Sequence, residues 1–484
     1  MTETASKTGL TIRTEDTTFD AGSFRDRKSR VFYHKGEVLR GLNAAALNEW
    51  KVLSTTTFFK RYCDEGKLVD TSQLTEDEPM LSVVKNDWAA ILRHKPIPFI
   101  SYPYEWSFGM LKDAALLNLE LLLSALEEDM ILKDSSAFNI QWIAAQPQFI
   151  DIPSFEKMQA GQVWVGYRQF CEMFLYPLML QAYKDMPFHG LLRGCIDGIA
   201  PEICAHMMSI RDLLRKGVFT HVYLQSKMQS KYGSANWNVG RDLEQAGFSK
   251  ELIIGNVKGL VKTINRLRWK RSSSQWADYV QKRVSYSEEG LNEKTSFVTE
   301  AVRSKHRQLV WDLGCNTGTF SRIAASNADY VVAMDSDHLA VEALYQALKM
   351  EKYASILPLV MNLADPSPNL GWNNLERKAL TERGKPDLIL CLALLHHLVI
   401  SANIPLAEVI AWLASLAGDL IIEFVTRKDP MVEKLLQNKE DNYTDFNIDF
   451  FENALGNYYR IEKRVELQNR QRVLYYCSHS IVSR

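Results

Sequence analysis

No C-x-x-C pair occurs among the seven cysteines of this 484-residue chain, Cys63, Cys171, Cys195, Cys204, Cys315, Cys391 and Cys477. That excludes the usual zinc spacings, and an odd, scattered set offers no disulfide framework. The thiols read instead as small buried hydrophobes in a reducing cytoplasm. No run approaches the roughly 18 apolar residues of a spanning helix, so no membrane partner is expected. Charge of one sign is lacking too: 57 Lys and Arg face 58 Asp and Glu. A net charge of −1 gives no basic field, and a nucleic-acid partner is not indicated. Internal repeats are absent. Residues 1–24 have no apolar h-region and read as a disordered tail rather than a secretory signal. What is present is an ordinary globular composition, 46% hydrophobic and 24% charged, over a length that predicts two or three domains.

The most informative stretch is Leu309 to Asp337, LVWDLGCNTGTFSRIAASNADYVVAMDSD. A short apolar run ends on Asp312. A turn follows with Gly314 and Gly318, then a helical segment, then a second apolar run ending on Asp335. This is strand, tight turn, helix and strand with an acidic tip, the first half of a nucleotide-binding βαβ unit. Glycine lets the backbone turn sharply and lets a ligand approach it. The following helix aims free N–H groups at the turn. An acid at the second strand tip can accept both hydroxyls of a ribose.

The pattern D-x-G-x-x-x-G resembles the first motif of the class I S-adenosylmethionine-dependent methyltransferases. The resemblance covers about the last 200 residues and implies a Rossmann-like, seven-stranded α/β sheet in residues 286–484. It implies S-adenosylmethionine as cofactor, with Asp312, Gly314, Cys315, Asn316 and Gly318 around its methionine part and Asp335 and Ser336 at the ribose. Asn362, Leu363 and Asp365, after the third strand, would lie on the adenine side, with Asn362 nearer the strand tip. Leu392, after the fourth strand, would line the floor. The stretch ALLHHL replaces the N-P-P-Y of base-modifying branches. It resembles branches that methylate small molecules, and some RNA or protein targets; of these a small-molecule acceptor is favoured. His396 or His397 could serve as a general base, and Glu423 of the fifth strand is expected near the active-site edge.

Residues 25–285 predict a helix-rich α+β domain. Arg30 to Leu42 reads as a hairpin around Lys35-Gly36. Ala44 to Arg61 reads as a helix, Asp87 to Arg93 as another, and Ile97 to Phe108 as an edge strand. Gly109 to Met130 is apolar on most faces and predicts a core helix. After it, Asp134, Asn139 and Asp151 fall around a predicted hairpin. This spacing resembles the catalytic core of protein kinases and small-molecule phosphotransferases, where such residues accept a hydroxyl proton and hold magnesium. Departures are visible. Leu132-Lys133 stands where the signature has His-Arg, Ile-Pro follows Asp151, and the first hundred residues carry no G-x-G-x-x-G and no V-A-I-K-like lysine. Three readings stay open: no relation, a non-catalytic kinase-like fold, and an active phosphotransferase that would make the chain bifunctional. A non-catalytic scaffold with a retained cofactor pocket is a further alternative for the whole chain.

The serines at 272–274 read as a linker. The stretches LKDSSAFNIQW, FIDIPSFE and VGYRQF also resemble a bacterial group of two-domain methyltransferases related to a nodulation-associated protein. That resemblance does not choose the acceptor.

Overall fold

A computed structural model describes residues 17–84, 88–159, 161–227, 250–270, 288–437, 439–440, 442–467 and 470–480. The hairpin predicted at Arg30 to Leu42 is present as β2 (Ser29–His34) and β3 (Glu37–Leu42), following β1 (Thr17–Phe19). Lys35 and Gly36 both have positive φ, 47° and 83°, which matches the twist of a two-residue turn to the strands it joins. β1 therefore lies within the stretch read as tail. It is tied down by pairing with β2 and by the Thr17 hydroxyl against His34 Nδ1 at 2.7 Å. Residues 1–16 of the expected tail are outside the described residues.

The single helix expected over Ala44 to Arg61 is two, α1 (Ala44–Leu53) and α2 (Thr57–Asp64). Thr55 and Thr56 interrupt it. Their hydroxyls donate to the carbonyls of Val52 and Leu53 at 2.7 Å, offering the backbone an alternative to the next turn. The helix expected at Asp87 to Arg93 is instead β5 (Ala90–His94). It pairs with β3 on one side and with β4 (Thr71–Gln73) on the other, and that double ladder overrides local propensity. The resulting antiparallel sheet has the order β1-β2-β3-β5-β4. Ile97 to Phe108 is not an edge strand. Side chains satisfy its backbone: Ser101 N donates to Gln141 Oε1 and Tyr102 N to Glu105 Oε2, both at 2.9 Å.

After the short α3 (Pro79–Val84), the apolar helix appears as α4 (Phe108–Glu127), with the Ser107 hydroxyl accepting from Met110 N at its start. Fourteen of its twenty residues are buried, as its all-round apolar pattern requires. Two short antiparallel pairs follow: β6 (Met130–Leu132) with β9 (Phe155–Lys157), and β7 (Ile140–Ile143) with β8 (Gln146–Phe149). The turn of the β7–β8 hairpin is at Ala144-Ala145, with Ala144 at φ 53°. Helical segments α5 (Tyr167–Phe170), α6 (Tyr176–Lys184), α7 (His189–Gly194) and α8 (Pro201–Met207) complete this half, with α9 (Lys250–Arg266) packed on α4. The Ser272–Ser274 linker and the 285/286 boundary lie outside the described residues.

From α10 (Glu288–Arg303) the chain alternates strand and helix. β10 (Arg307–Leu313), α11 (Thr319–Ala325), β11 (Ala328–Asp335), α12 (His338–Glu351) and β12 (Ile356–Val360) form the first half of a sheet. β13 (Leu388–Cys391), α13 (Leu406–Ser415), β14 (Asp419–Val425), α14 (Pro430–Leu436), α15 (Ile448–Gly456), β15 (Tyr459–Glu466) and β16 (Arg472–His479) form the rest. The strand order is β12-β11-β10-β13-β14-β16-β15. The first five strands are parallel, and β16 is antiparallel to both neighbours. Parallel strands covered on both faces read as unbroken apolar runs, which is why they were legible. Order reverses between β10 and β13, so their carboxyl ends open at a switch point, where ligands of such sheets bind.

The two halves share one hydrophobic core. Phe99 meets Trp311 edge-on at 6.0 Å and Trp142 meets Tyr345 at 5.5 Å. Gly109 N, in the first turn of α4, donates to Glu342 of α12 at 2.7 Å. Between them lies a buried pair, Arg383 and Glu105, whose side chains are each 1% exposed and 2.6 Å apart. Among the described residues no helix is long and apolar enough to cross a membrane.

Candidate functional site

The predicted site residues of the C-terminal half converge at the carboxyl ends of β10, β11, β12 and β13. The glycine turn follows β10 directly. Gly314, Asn316 and Gly318 have φ of 78°, 48° and 81°. At Gly318 both conformation and space demand glycine, since a Cβ would lie 2.5 Å from Leu344 Cδ1. At Gly314 a Cβ would meet Leu394 at an ordinary 3.4 Å, so backbone conformation alone selects glycine there. The turn is hung from the next strand: Gly314 N and Cys315 N both donate to Met334 O, at 2.8 and 3.0 Å.

Asp335 binds this turn from the tip of β11. Its Oδ2 accepts from Asn316 N at 2.7 Å and its Oδ1 from Asp337 N at 2.8 Å. Each oxygen keeps further acceptor capacity. Burial raises the carboxyl above its ordinary range, opposed by these backbone donors. Asp312 is deeper and accepts from Ser321 Oγ at 2.6 Å, which ties β10 to α11. Burial pushes its carboxyl up to about 6. Cys315 is buried and its thiol is raised well above its ordinary value, so it is a small packing residue. Ser336 is exposed. Asn362 is exposed after β12 and folds its own loop, its Oδ1 accepting from Ala364 N at 3.1 Å; Leu363 is half-buried. Leu392 is buried at the end of β13.

His396 and His397 start the helical turn after β13, with rings 4.1 Å apart. Burial holds His396 well below its ordinary range and His397 down at about 4. Both are neutral imidazoles at pH 7. Behind them lies a buried ionic chain. Lys294 Nζ reaches Glu423 Oε2 at 2.7 Å, and Arg472 reaches Glu423 at 3.3 Å and Asp429 at 2.8 Å. Glu423, expected at the active-site edge, is thus fully buried and paired with two cations. Sequence reasoning missed Lys294 and Arg472. Lys294 did leave a signal: it sits in the buried stripe Gly290, Lys294, Phe297, Val298, Ala301 of α10.

In the N-terminal half, Asp134, Asn139 and Asp151 also come together. Asp134 follows β6 and accepts from Ser136 N at 3.0 Å. Burial, then the nearby Asp151, raises its carboxyl. Asn139 O accepts from Ile150 N at 2.8 Å, which draws the loop onto the end of β8. Asp151 is engaged by Arg40 of β3 at 2.9 Å and by the Ser154 hydroxyl. Arg40 was not foreseen; its signal is a lone basic residue within the otherwise apolar run Val38 to Leu42. A guanidinium therefore sits where a cation would be held. Among the described residues no group of three His, Cys, Asp or Glu could hold a metal ion.

The chain is 34% identical over 458 residues to nodulation protein NoeA of Rhizobium meliloti strain 1021, covering 94% of this chain and 95% of that one. No family model matches it. Among solved structures it is similar to N-methyltransferase NodS of Bradyrhizobium japonicum WM9, at 12% identity and TM-score 0.30. That match covers 40% of this chain and 99% of NodS. It is also similar to magnesium protoporphyrin IX methyltransferase of Synechocystis PCC 6803, at 20% identity and TM-score 0.30. There the match covers 44% of this chain and 90% of the other.

Proposed function

This chain belongs to the family of nodulation protein NoeA, and we propose that it transfers a methyl group from S-adenosylmethionine to a small-molecule acceptor. The observation that carries the reading is the glycine turn at the switch point with Asp335 laid across it. The residues fit the donor. The positive-φ turn lets backbone approach a ligand without a Cβ in the way. Asp335 has an acceptor on each oxygen for the two hydroxyls of a ribose. The exposed Asn362 presents an amide beside it at the end of β12.

When bound, the cofactor supplies a sulfonium methyl that a nucleophile displaces in line. The chain's task is to orient the acceptor and exclude water. Leu392 and Leu394 give the floor beside Gly314 an apolar lining. Of the two imidazoles, His397 is the less buried, and this reading assigns it the proton leaving an acceptor hydroxyl or amine. Calorimetry on the full chain tests the proposal. S-adenosylmethionine should bind with a Kd on the order of micromolar. Asp335→Ala should weaken it roughly tenfold or more by removing a charged acceptor. An unaltered chain that binds none sinks the reading.

For residues 25–285 we infer a kinase-like domain without transfer chemistry. Its support is the passage from α4 through the Asp134–Asn139 loop to a hairpin delivering Asp151, as the resemblance implies. The Arg40–Asp151 pair favours the non-catalytic form over an active phosphotransferase, because the chain supplies its own cation to that acid.

A further inference from the structure

Helix α7 belongs to the N-terminal half, yet it lies across the carboxyl ends of β11 and β12. Arg193 forks onto Asp365, with both guanidinium nitrogens 2.9 Å from its carboxylate oxygens. The same side chain donates to the carbonyls of Asp365 and Pro366, at 3.2 and 3.4 Å. One guanidinium thus ties down the loop that begins with Asn362. Four residues earlier, the His189 ring meets the His338 ring edge-on at 4.2 Å, just beyond Asp335 and Ser336. Phe188, buried, stacks on His189 from behind at 4.4 Å. His189 Nε2 lies 2.8 Å from Trp106 O, so Nε2 carries the proton and the buried Nδ1 is a bare acceptor at the seam. Glu105, next to Trp106, accepts from Ser367 at 2.6 Å and fixes the far side of the same loop.

We propose that the donor site is bipartite, with Phe188 to Arg193 as the clamp that holds the loops after β11 and β12 around the adenosine part of S-adenosylmethionine. The inference rests on the methyl-donor reading above and extends it to residues of the other half. Arg193 and His189 are positioning residues. Arg193 acts through Asp365 on the Asn362 loop, and His189 acts through His338 on the Asp335 turn.

Calorimetry of S-adenosylmethionine on the full chain tests it. Arg193→Asp sets two carboxylates against each other and should weaken binding roughly tenfold, by loss of the coupling between the two loops. Asp365→Arg alone should do the same. The double variant Arg193→Asp with Asp365→Arg restores the pair reversed and should return affinity to within about threefold. His189→Ala should cost roughly fivefold. Arg322→Ala breaks an exposed pair with Glu351 at the far end of α12 and should leave affinity unchanged. Binding that is unchanged in Arg193→Asp and His189→Ala overturns the clamp and leaves the donor site standing. No rescue in the double variant, or an equal loss in Arg322→Ala, also overturns it. Absence of binding by the unaltered chain overturns the donor reading itself.

Discussion

Asp335 ends β11 and Asp151 stands just past β8, one acid in each half, and their surroundings differ in one respect. Asp335 is held by two backbone N–H groups, which orient the carboxylate and leave it acceptor capacity. Asp151 is held by the Arg40 guanidinium and the Ser154 hydroxyl, both from the chain's own side chains. Backbone donors prepare an acid to receive further donors. A side-chain cation neutralises it. The contrast teaches that proximity of acids at a strand end says little until their partners are known.

The largest test of this contrast removes the turn. Gly318→Val places a side chain against Leu344 and at positive φ, and should abolish S-adenosylmethionine binding by more than about a hundredfold. Calorimetry reads it, with circular dichroism confirming the fold. Next is the joint between the halves. Arg383→Ala leaves Glu105 buried without its cation and removes a donor to Ile100 O. It should cost about 3–5 kcal/mol in denaturant unfolding. A loss under about 1 kcal/mol would mean that the joint relaxes around the change.

A smaller effect concerns Asp312. Its folded carboxyl titrates at about 6, above the unfolded value of about 3.9. The folded state therefore holds the proton more tightly, and stability falls as pH rises through that window. Asp312→Asn keeps an acceptor for Ser321 and lacks the titration. Relative to the unaltered chain it should gain on the order of 2 kcal/mol between pH 4 and pH 7. A difference that is flat with pH contradicts the burial assigned to Asp312. The smallest expected effect is none: magnesium with ATP should not shift the melting temperature of the unaltered chain. A shift that disappears in Asp151→Ala would make the N-terminal half an active phosphotransferase and erase the contrast.

The parts of the molecule legible in sequence are those made by near neighbours. β10, its glycine turn, α11 and β11 lie within about thirty residues, and each contact there is dictated by local conformation and apolar run length. The same holds for the β2–β3 hairpin and for α4. The expected helix at Asp87 to Arg93 failed because β5 is a strand only by virtue of β3 and β4 on either side. Glu423 was placed in its strand correctly, but its partners Lys294 and Arg472 stand 129 and 49 positions away.

The sequence by itself determined the residue types and the local geometry of the glycine turn, the acid at the tip of β11, and the alternation that builds a parallel sheet. These follow from glycine's backbone freedom and from apolar periodicity, which act over one or two elements. Only the tertiary structure decided which acids are neutralised and which remain available to a ligand. Arg40 on Asp151, Arg472 on Glu423 and Arg193 on Asp365 are each brought together from distant stretches of chain, through cores and strand ladders that no local pattern encodes.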